Sequence, residues 1–111
     1  MFARVSTVQG TPDKIEAGIR HYREQVLPTA NKLAGFKGAY LLVDRKSGKE
    51  LSVTLWDTER HMQESAKTAE QLRSQASQAV AASQPATVEM FEVAVEQQPA
   101  REEISASARL M

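Results

Sequence analysis

The stretch GFKGAYLLVDRKSGKELSVTLWD, residues 35 to 57, carries two runs of alternating side chains around a short polar connection. Residues 35 to 45 and 49 to 57 are predicted to form strands, because alternation of apolar and polar side chains is typical of a half-buried strand. The connection ends in Gly48, which can adopt the positive φ that tight turns require. The sequence therefore predicts a β-hairpin in the middle of the chain.

A helix is predicted on each side of this hairpin. Thr11 and Pro12 begin the first helix well, since a hydroxyl can cap a free N–H and proline is tolerated at the first helical position. Pro28 is predicted to kink or break that helix after Leu27, because proline removes a backbone hydrogen bond. Thr58, or the residue before it, can cap the second helix. The stripes that predict buried helix faces are Ile15, Ile19, Tyr22, Val26, Ala30 and Leu33 in the first helix, and Met62, Ala66, Ala69, Leu72, Ala76 and Ala79 in the second.

Two further strands are predicted at the ends, over residues 2 to 9 and 87 to 96. The order β-α-β-β-α-β is that of an α+β ferredoxin-like plait, an antiparallel sheet with two helices on one face. We predict one domain over residues 1 to 97, followed by a polar C-terminal tail, residues 98 to 111, with a weak helical pattern at 101 to 104.

Both faces of the hairpin are apolar enough to need cover, although the two helices cover only one face. In the second predicted strand of the hairpin, one face carries Leu51, Val53 and Leu55 and the other carries Ser52, Thr54 and Trp56. In the first strand, one face carries Phe36, Tyr40 and Leu42 and the other carries Ala39, Leu41 and Val43. The pattern predicts a homodimer packed sheet against sheet. The serine, threonine and tryptophan would then lie under the helices, beside a pocket.

Composition excludes several classes of function. Lys+Arg 14 balances Asp+Glu 14, and this absence of net charge argues against nucleic-acid binding, which needs a basic excess. The chain has no cysteine, and its two histidines, His21 and His61, lack carboxylates at metal-ligand spacing, so no metal site is expected. Neither a signal peptide nor a membrane helix is predicted, which favours a cytoplasmic protein without membrane contact.

The chain resembles the antibiotic biosynthesis monooxygenase family of dimeric α+β barrels over about residues 2 to 96. The resemblance is carried by the element order, Gly35-Phe36, the turn from Val43-Asp44 to Ser47-Gly48, and Leu55-Trp56-Asp57-Thr58-Glu59. It implies a small-molecule pocket between sheet and helices in each subunit. Some members oxidise phenols to quinones with molecular oxygen and neither metal nor flavin, and others cleave haem.

The resemblance also implies site residues. Trp56 matches the pocket tryptophan at the end of the third strand, and Arg73 matches an arginine of the following helix. Ser52, Met62 and Leu42 stand where the quinone-forming members have asparagine, tyrosine and histidine. The residues of the haem-cleaving branch are missing, so haem cleavage is rejected. What remains is a cofactor-independent monooxygenase acting on a small aromatic or phenolic molecule, with Trp56, Arg73 and Ser52 as its catalytic residues.

Five more residues are expected to line the pocket: Tyr22, Tyr40, Thr54, Met62 and His61. Several candidates also have a purely structural interpretation. Trp56 can be a core anchor, Arg73 can point into solvent, and His61 can belong to the exposed start of a helix. The alternative function is accordingly a non-catalytic small-molecule-binding or assembly protein on the same dimeric barrel.

Overall fold

The computed structural model describes residues 1 to 99, and these contain four β-strands and two groups of helical segments. The strands are β1 (Phe2–Gln9), β2 (Phe36–Asp44), β3 (Lys49–Trp56) and β4 (Thr87–Glu92). The last strand is shorter than predicted. The weak helical pattern of the predicted tail falls outside the described residues.

The strands form one sheet in the order β2-β3-β1-β4, with all neighbours antiparallel. This order and the helices between the strands confirm the α+β ferredoxin-like fold. The predicted hairpin joins β2 to β3, and Gly48, at φ +81°, donates its N–H to Asp44 O at 2.9 Å. Its positive φ explains the need for glycine there.

A β-bulge between Phe36 and Gly38 changes the faces of β2. Phe36 pairs with Trp56 and packs against its ring edge-on at 5.6 Å, on the helix side of the sheet. After the bulge, Tyr40 pairs with Val53 and points to the opposite side. The expectation that Phe36 and Tyr40 share a face is therefore wrong, since one unpaired residue reverses the alternation.

The first helical group is continuous through Pro28. It comprises a 3-10 turn (Pro12–Lys14), α1 (Ile15–His21), a π turn (Tyr22–Val26) and α2 (Leu27–Ala30). The N–H of Leu27 donates to Tyr22 O, five residues earlier, as a π turn requires. The helix thus does not end at Leu27: the wider turn accommodates the proline within the first turn of α2.

The second helical group is α3 (Glu59–Glu64) followed by α4 (Ala66–Ala79). Thr58 caps α3, since its Oγ1 accepts a hydrogen bond from His61 N at 3.1 Å, which confirms the predicted helix start. The helix was predicted as one piece but is divided at Ser65. No helix in the described part of the chain is long and apolar enough to cross a membrane.

Both helical groups cover the same face of the sheet. The buried apolar core on this side comprises Val8, Ile15, Tyr22, Val26, Ala30, Trp56, Met62 and Val80. The other face stays open in the single chain, where Tyr40 is 63% exposed, Leu42 51% and Phe91 49%. The space for a ligand accordingly lies between the covered face and the helices.

Candidate functional site

A cavity of about 80 Å³ opens between the covered face of the sheet and the helices. A single buried water needs roughly 10–15 Å³ measured in the same way, so this space has room for a small organic molecule. Most of its wall is apolar, formed by residues that include Val8, Val26, Ala30, Leu41, Leu72 and Val80. A cavity of this kind, with a few polar groups, is the usual form of a small-molecule site.

Strand alternation aims two rows of side chains into this cavity. β1 contributes Arg4 and Ser6, and β3 contributes Glu50, Ser52, Thr54 and Trp56. In the register of the two strands, Arg4 lies opposite Thr54, and Val8 lies opposite Glu50. Four residues of strand, about 13 Å, therefore separate an end of the cavity near Arg4 from an end near Glu50.

The first end is cationic. Arg4 is only 4% exposed, and its guanidinium lies 5.8 Å from the centre of the Trp56 ring. Burial, and secondly the neighbouring charge of Arg73, lowers the pKa of Arg4, and burial lowers the pKa of Arg73. Because the ordinary pKa of arginine is so high, both side chains remain cations. Two like charges beside one apolar cavity favour an anionic ligand.

The two arginines differ in their hydrogen bonding. The guanidinium of Arg4 donates to Ser65 Oγ at 2.9 Å and to Met62 O at 2.6 Å. The Nη1 atom of Arg73 is buried and has no hydrogen-bond partner among the described residues. Arg73 is thus the cation that a ligand can bind. The charge of Arg4, on the sheet, adds to the attraction for an anion.

Two hydroxyl groups lie midway along the cavity. The hydroxyl of Tyr22 and Ser52 Oγ are 2.9 Å apart and share a hydrogen bond. Burial raises the pKa of the Tyr22 phenol, so that this group is neutral at physiological pH. When Tyr22 donates to Ser52, the Ser52 hydroxyl keeps its own hydrogen free for an oxygen atom bound beside the pair.

Trp56 is both a buried core residue and part of the cavity wall. It is 2% exposed, and its indole N–H donates to Thr54 Oγ1 at 3.0 Å, which satisfies its polar atom. Its ring nevertheless lines the cavity beside Arg4. The two interpretations of this residue hold together.

The second end of the cavity is acidic and was not identified from the sequence. Glu50 is 6% exposed, and burial raises the pKa of its carboxyl to about 7. Its Oε2 atom has no hydrogen-bond partner in residues 1 to 99. His21 also lines the cavity, and its buried Nε2 lacks a partner there as well. Alternation along β3 places Glu50 on the same face as Ser52, so the sequence pattern could have identified Glu50 as a cavity residue.

The structure brings five of the predicted site residues to the cavity: Tyr22, Ser52, Thr54, Trp56 and Arg73. Tyr40 does not line it, because the β-bulge turns its side chain to the open face of the sheet. Its backbone carbonyl accepts a hydrogen bond from the Tyr22 hydroxyl at 3.4 Å. Met62 is buried at the junction of α3 and α4, and its side chain packs in the core outside the cavity wall.

His61 also lies outside the cavity wall. Its Nδ1 is 2.7 Å from Asp57 Oδ1 at the start of α3, and this hydrogen bond lowers the pKa of the Asp57 carboxyl. The pair joins the end of β3 to the helix, a structural role. In the described part of the chain, no group of three or more His, Cys, Asp or Glu side chains is placed to hold a metal ion.

Comparison of the sequence with known proteins finds relatives without a described function. No protein-family model matches the chain. The uncharacterised protein Rv2558 of Mycobacterium tuberculosis is 33% identical over 95 residues, which are 86% of this chain and 39% of that protein. Rv2557 from the same organism is 37% identical over 62 residues, or 56% of this chain and 28% of that protein. The chain therefore spans well under half the length of these relatives.

Comparison of the structure finds proteins of the same fold, among them monooxygenases and proteins of unknown function. A monooxygenase from Streptomyces coelicolor, solved in complex with nanaomycin D, matches with a TM-score of 0.72 at 15% identity, over 89% of this chain and 92% of that one. An antibiotic biosynthesis monooxygenase matches with a TM-score of 0.61 at 16% identity, over 86% and 100%. A Nitrosomonas europaea protein of unknown function, NE2512, matches with a TM-score of 0.62 at 24% identity, over 89% and 94%. At these identities the likeness concerns the fold.

Proposed function

We propose that this chain, which has the fold of the antibiotic biosynthesis monooxygenases, binds a small phenolic molecule in its cavity and oxidises it with molecular oxygen without a cofactor. The observation that carries the proposal is the buried Nη1 of Arg73, which has no hydrogen-bond partner in residues 1 to 99 and lies in a cavity that Arg4 and the Trp56 ring also line. A phenolate oxygen at Arg73 would satisfy that donor, with the aromatic rings against Trp56 and the apolar wall.

The chemistry converts an activated CH₂ group of the substrate and one O₂ into a carbonyl group and water. Arg73 stabilises the substrate anion that forms when its enolised phenol loses a proton. The anion passes one electron to O₂, and the resulting radical and superoxide combine at the carbon. Once protonated, the adduct is a hydroperoxide, which loses water to leave the quinone. The proton removed at the start is returned to the peroxide oxygen.

The other side chains of the cavity position these species. Trp56 holds the ring system flat beside Arg4, and the hydrogen-bonded pair of Ser52 and Tyr22 supplies one hydrogen bond to an oxygen in the middle of the cavity. The apolar walls exclude water, which strengthens the interaction of Arg73 with the anion. Of the three residues that the resemblance matches to the amide, phenol and imidazole of the quinone-forming members, only Ser52 lines the cavity, since Met62 packs outside its wall and Leu42 lies on the open face. Tyr22, hydrogen-bonded to Ser52, is the phenolic group of this site.

Oxygen uptake with 1,8-dihydroxyanthrone tests the proposal. We expect uptake above the rate of autoxidation, one O₂ consumed per quinone formed, and isotopic label from O₂ in the new carbonyl. Arg73→Met should lower the rate about 10–100-fold, because it removes the charge that stabilises the anion. Arg23→Met, at an exposed arginine of the π turn, is the matched control and should not change the rate.

Uptake no faster than autoxidation, or a rate unchanged by Arg73→Met, would contradict the proposal. Binding without turnover across a panel of phenols would instead identify a non-catalytic small-molecule-binding protein.

We further propose that the protein works in the cytoplasm as a homodimer that pairs the open faces of two sheets, since Tyr40, Leu42 and Phe91 are exposed there in the single chain.

A further inference from the structure

Three buried side-chain atoms have no hydrogen-bond partner among the described residues: Arg73 Nη1, Glu50 Oε2 and His21 Nε2. All three residues line the same cavity. Leaving a buried polar group without a partner costs about 1–3 kcal/mol, and native structures contain few such groups. Their concentration around one cavity makes it the place where a bound molecule can supply the missing partners.

The three atoms belong to opposite ends of the cavity. Glu50 lies opposite Val8 in the sheet, whereas Arg4, whose charge acts on Arg73, lies opposite Thr54. Neither arginine contributes to the pKa of Glu50, which is raised by burial. An anion held at Arg73 therefore leaves Glu50 without a partner. The carboxyl of Glu50 therefore needs a hydrogen-bond partner of its own, which neither Arg4 nor Arg73 provides.

The packing around Glu50 is built to keep its carboxyl in place. Gly18 of α1 lies directly over the carboxyl, and a Cβ atom at that position would collide with it. His21 follows one turn later in the same helix, and its side chain reaches the cavity. Because the glycine admits the carboxyl under the helix, Glu50 is 94% buried yet lines the cavity, and its Oε2 has no hydrogen-bond partner within the described part of the chain.

We propose that Glu50 and His21 form a second ligand-binding subsite, which takes a hydroxyl or another hydrogen-bond donor at the far end of a ligand whose anionic oxygen is held by Arg73. The ligand class is thus an aromatic anion with a donor group on the opposite edge of its ring system. This inference rests on the proposed function only in placing a small aromatic molecule in the cavity. It specifies which molecules of that class bind best.

A ligand that joins the two subsites must be elongated. Along the sheet, the level of Arg4, whose charge acts on Arg73, is about 13 Å from the level of Glu50, and Arg73 faces this space from α4. A skeleton of two fused rings with polar groups on opposite edges fits this description. A single ring with adjacent substituents reaches one subsite only.

Calorimetric titration with two rigid acids tests the subsite. 2-Naphthoate and 6-hydroxy-2-naphthoate differ only in the distal hydroxyl, and both present a carboxylate to Arg73. At about pH 8, where Glu50 is mostly ionised, we expect the hydroxy acid to bind the wild-type protein about tenfold more tightly, as one charge-assisted hydrogen bond predicts. Glu50→Leu should bring the ratio of the two dissociation constants to about one. Glu50→Gln, which keeps an acceptor, should give an intermediate ratio.

Two further variants separate the subsites. Arg73→Met should weaken both acids about equally and leave their ratio unchanged, because it removes the shared anchor. Glu24→Leu, at an exposed glutamate of the π turn, should change neither affinity. Thermal melts establish that each variant is folded. If Glu50→Leu does not fold, the proposal requires that Glu50→Gln lower the ratio of the two dissociation constants at least threefold.

Equal binding of the two acids to the wild-type protein would overturn the proposal, as would a preference that survives in Glu50→Leu or the absence of binding by either acid. The titrations involve no oxygenation, so their outcome is separate from that of the oxygen-uptake experiment. A clear preference with no turnover of the anthrone refutes the proposed function alone. Turnover without a preference refutes the second subsite alone.

Discussion

Burial raises the pKa of Glu50 to about 7, since its carboxyl is removed from water beside an apolar cavity. In the unfolded chain the same carboxyl titrates near 4.5. Between these two values the unfolded state releases a proton that the folded state keeps. The contribution of this group to stability is therefore full below about pH 4.5, declines as the pH rises, and is lost above about pH 7.

We expect this loss to appear in urea unfolding between about pH 5 and pH 8. The wild-type protein should lose about 2 kcal/mol of unfolding free energy relative to Glu50→Gln, which has no proton to release. His21, Tyr22, Arg4 and Arg73 also line the cavity, and they are present in both proteins, so the difference isolates Glu50. Parallel stability curves for the two proteins would show that Glu50 titrates normally.

At the scale of the elements, the division between α3 and α4 depends on a contact with the sheet. Met62 O accepts hydrogen bonds from Arg4 Nη2 and from Ser65 Oγ, each at 2.6 Å, and Ser65 Oγ also accepts from Arg4 Nη1. Ser65 thus joins a buried cation to the helix junction. The helical spacing of apolar residues continues across this point, which is why the sequence predicts one uninterrupted helix.

Ser65→Ala should lower the free energy of unfolding by about 2 kcal/mol, because it leaves one N–H of a buried charged group without a partner. Arg4→Met should change it by less than about 1 kcal/mol, since Met62 O keeps its bond from Ser65 and the repulsion with Arg73 disappears. Chemical denaturation of the two variants checks this order.

The double variant provides the control. If Ser65 stabilises the fold through Arg4, then Ser65→Ala should cost little once Arg4 has been replaced by methionine. A loss of about 2 kcal/mol from Ser65→Ala in both backgrounds would mean that the serine acts on the helix junction independently of the arginine.

At the scale of the whole molecule, the sheet has one covered and one open face. The open face carries Tyr40 and Leu42 of β2 and Phe91 of β4, each about half exposed or more. The edge strand β4 also exposes Met90, whose side chain points to the helix side, beyond the reach of the helices. Apolar surface on both sides of an edge strand is typical of an interface between chains.

Leu42→Glu should convert the expected homodimer into monomers, because it places an unpaired charge in the apolar layer between two sheets. Light scattering after gel filtration gives the mass directly. Gln78→Glu, which adds the same charge on the exposed side of α4, should leave the dimer intact. A wild-type protein that is already monomeric at the concentrations tested would refute the dimer.

Much of the candidate site was predictable from local pattern. Alternation along β3 places Ser52, Thr54 and Trp56 on one face. Arg73 followed from the resemblance instead, because its place beside the buried stripe leaves both directions open. The same rule applied to β1 and to the start of β3 would also have found Arg4 and Glu50. It failed for Tyr40 because a single bulged residue reverses the faces, and such a residue leaves no trace in the hydrophobic pattern.

The sequence by itself determined the order of the elements, the antiparallel sheet and the face of β3 that points under the helices, because these follow from short-range periodicity and turn residues. Only the tertiary structure decided which polar atoms find partners. Arg73 and Glu50 belong to different elements, and their hydrogen bonding depends on distances set by packing across the core. The two unsatisfied ends of the cavity, and hence the shape of the ligand we propose, are properties of the folded chain.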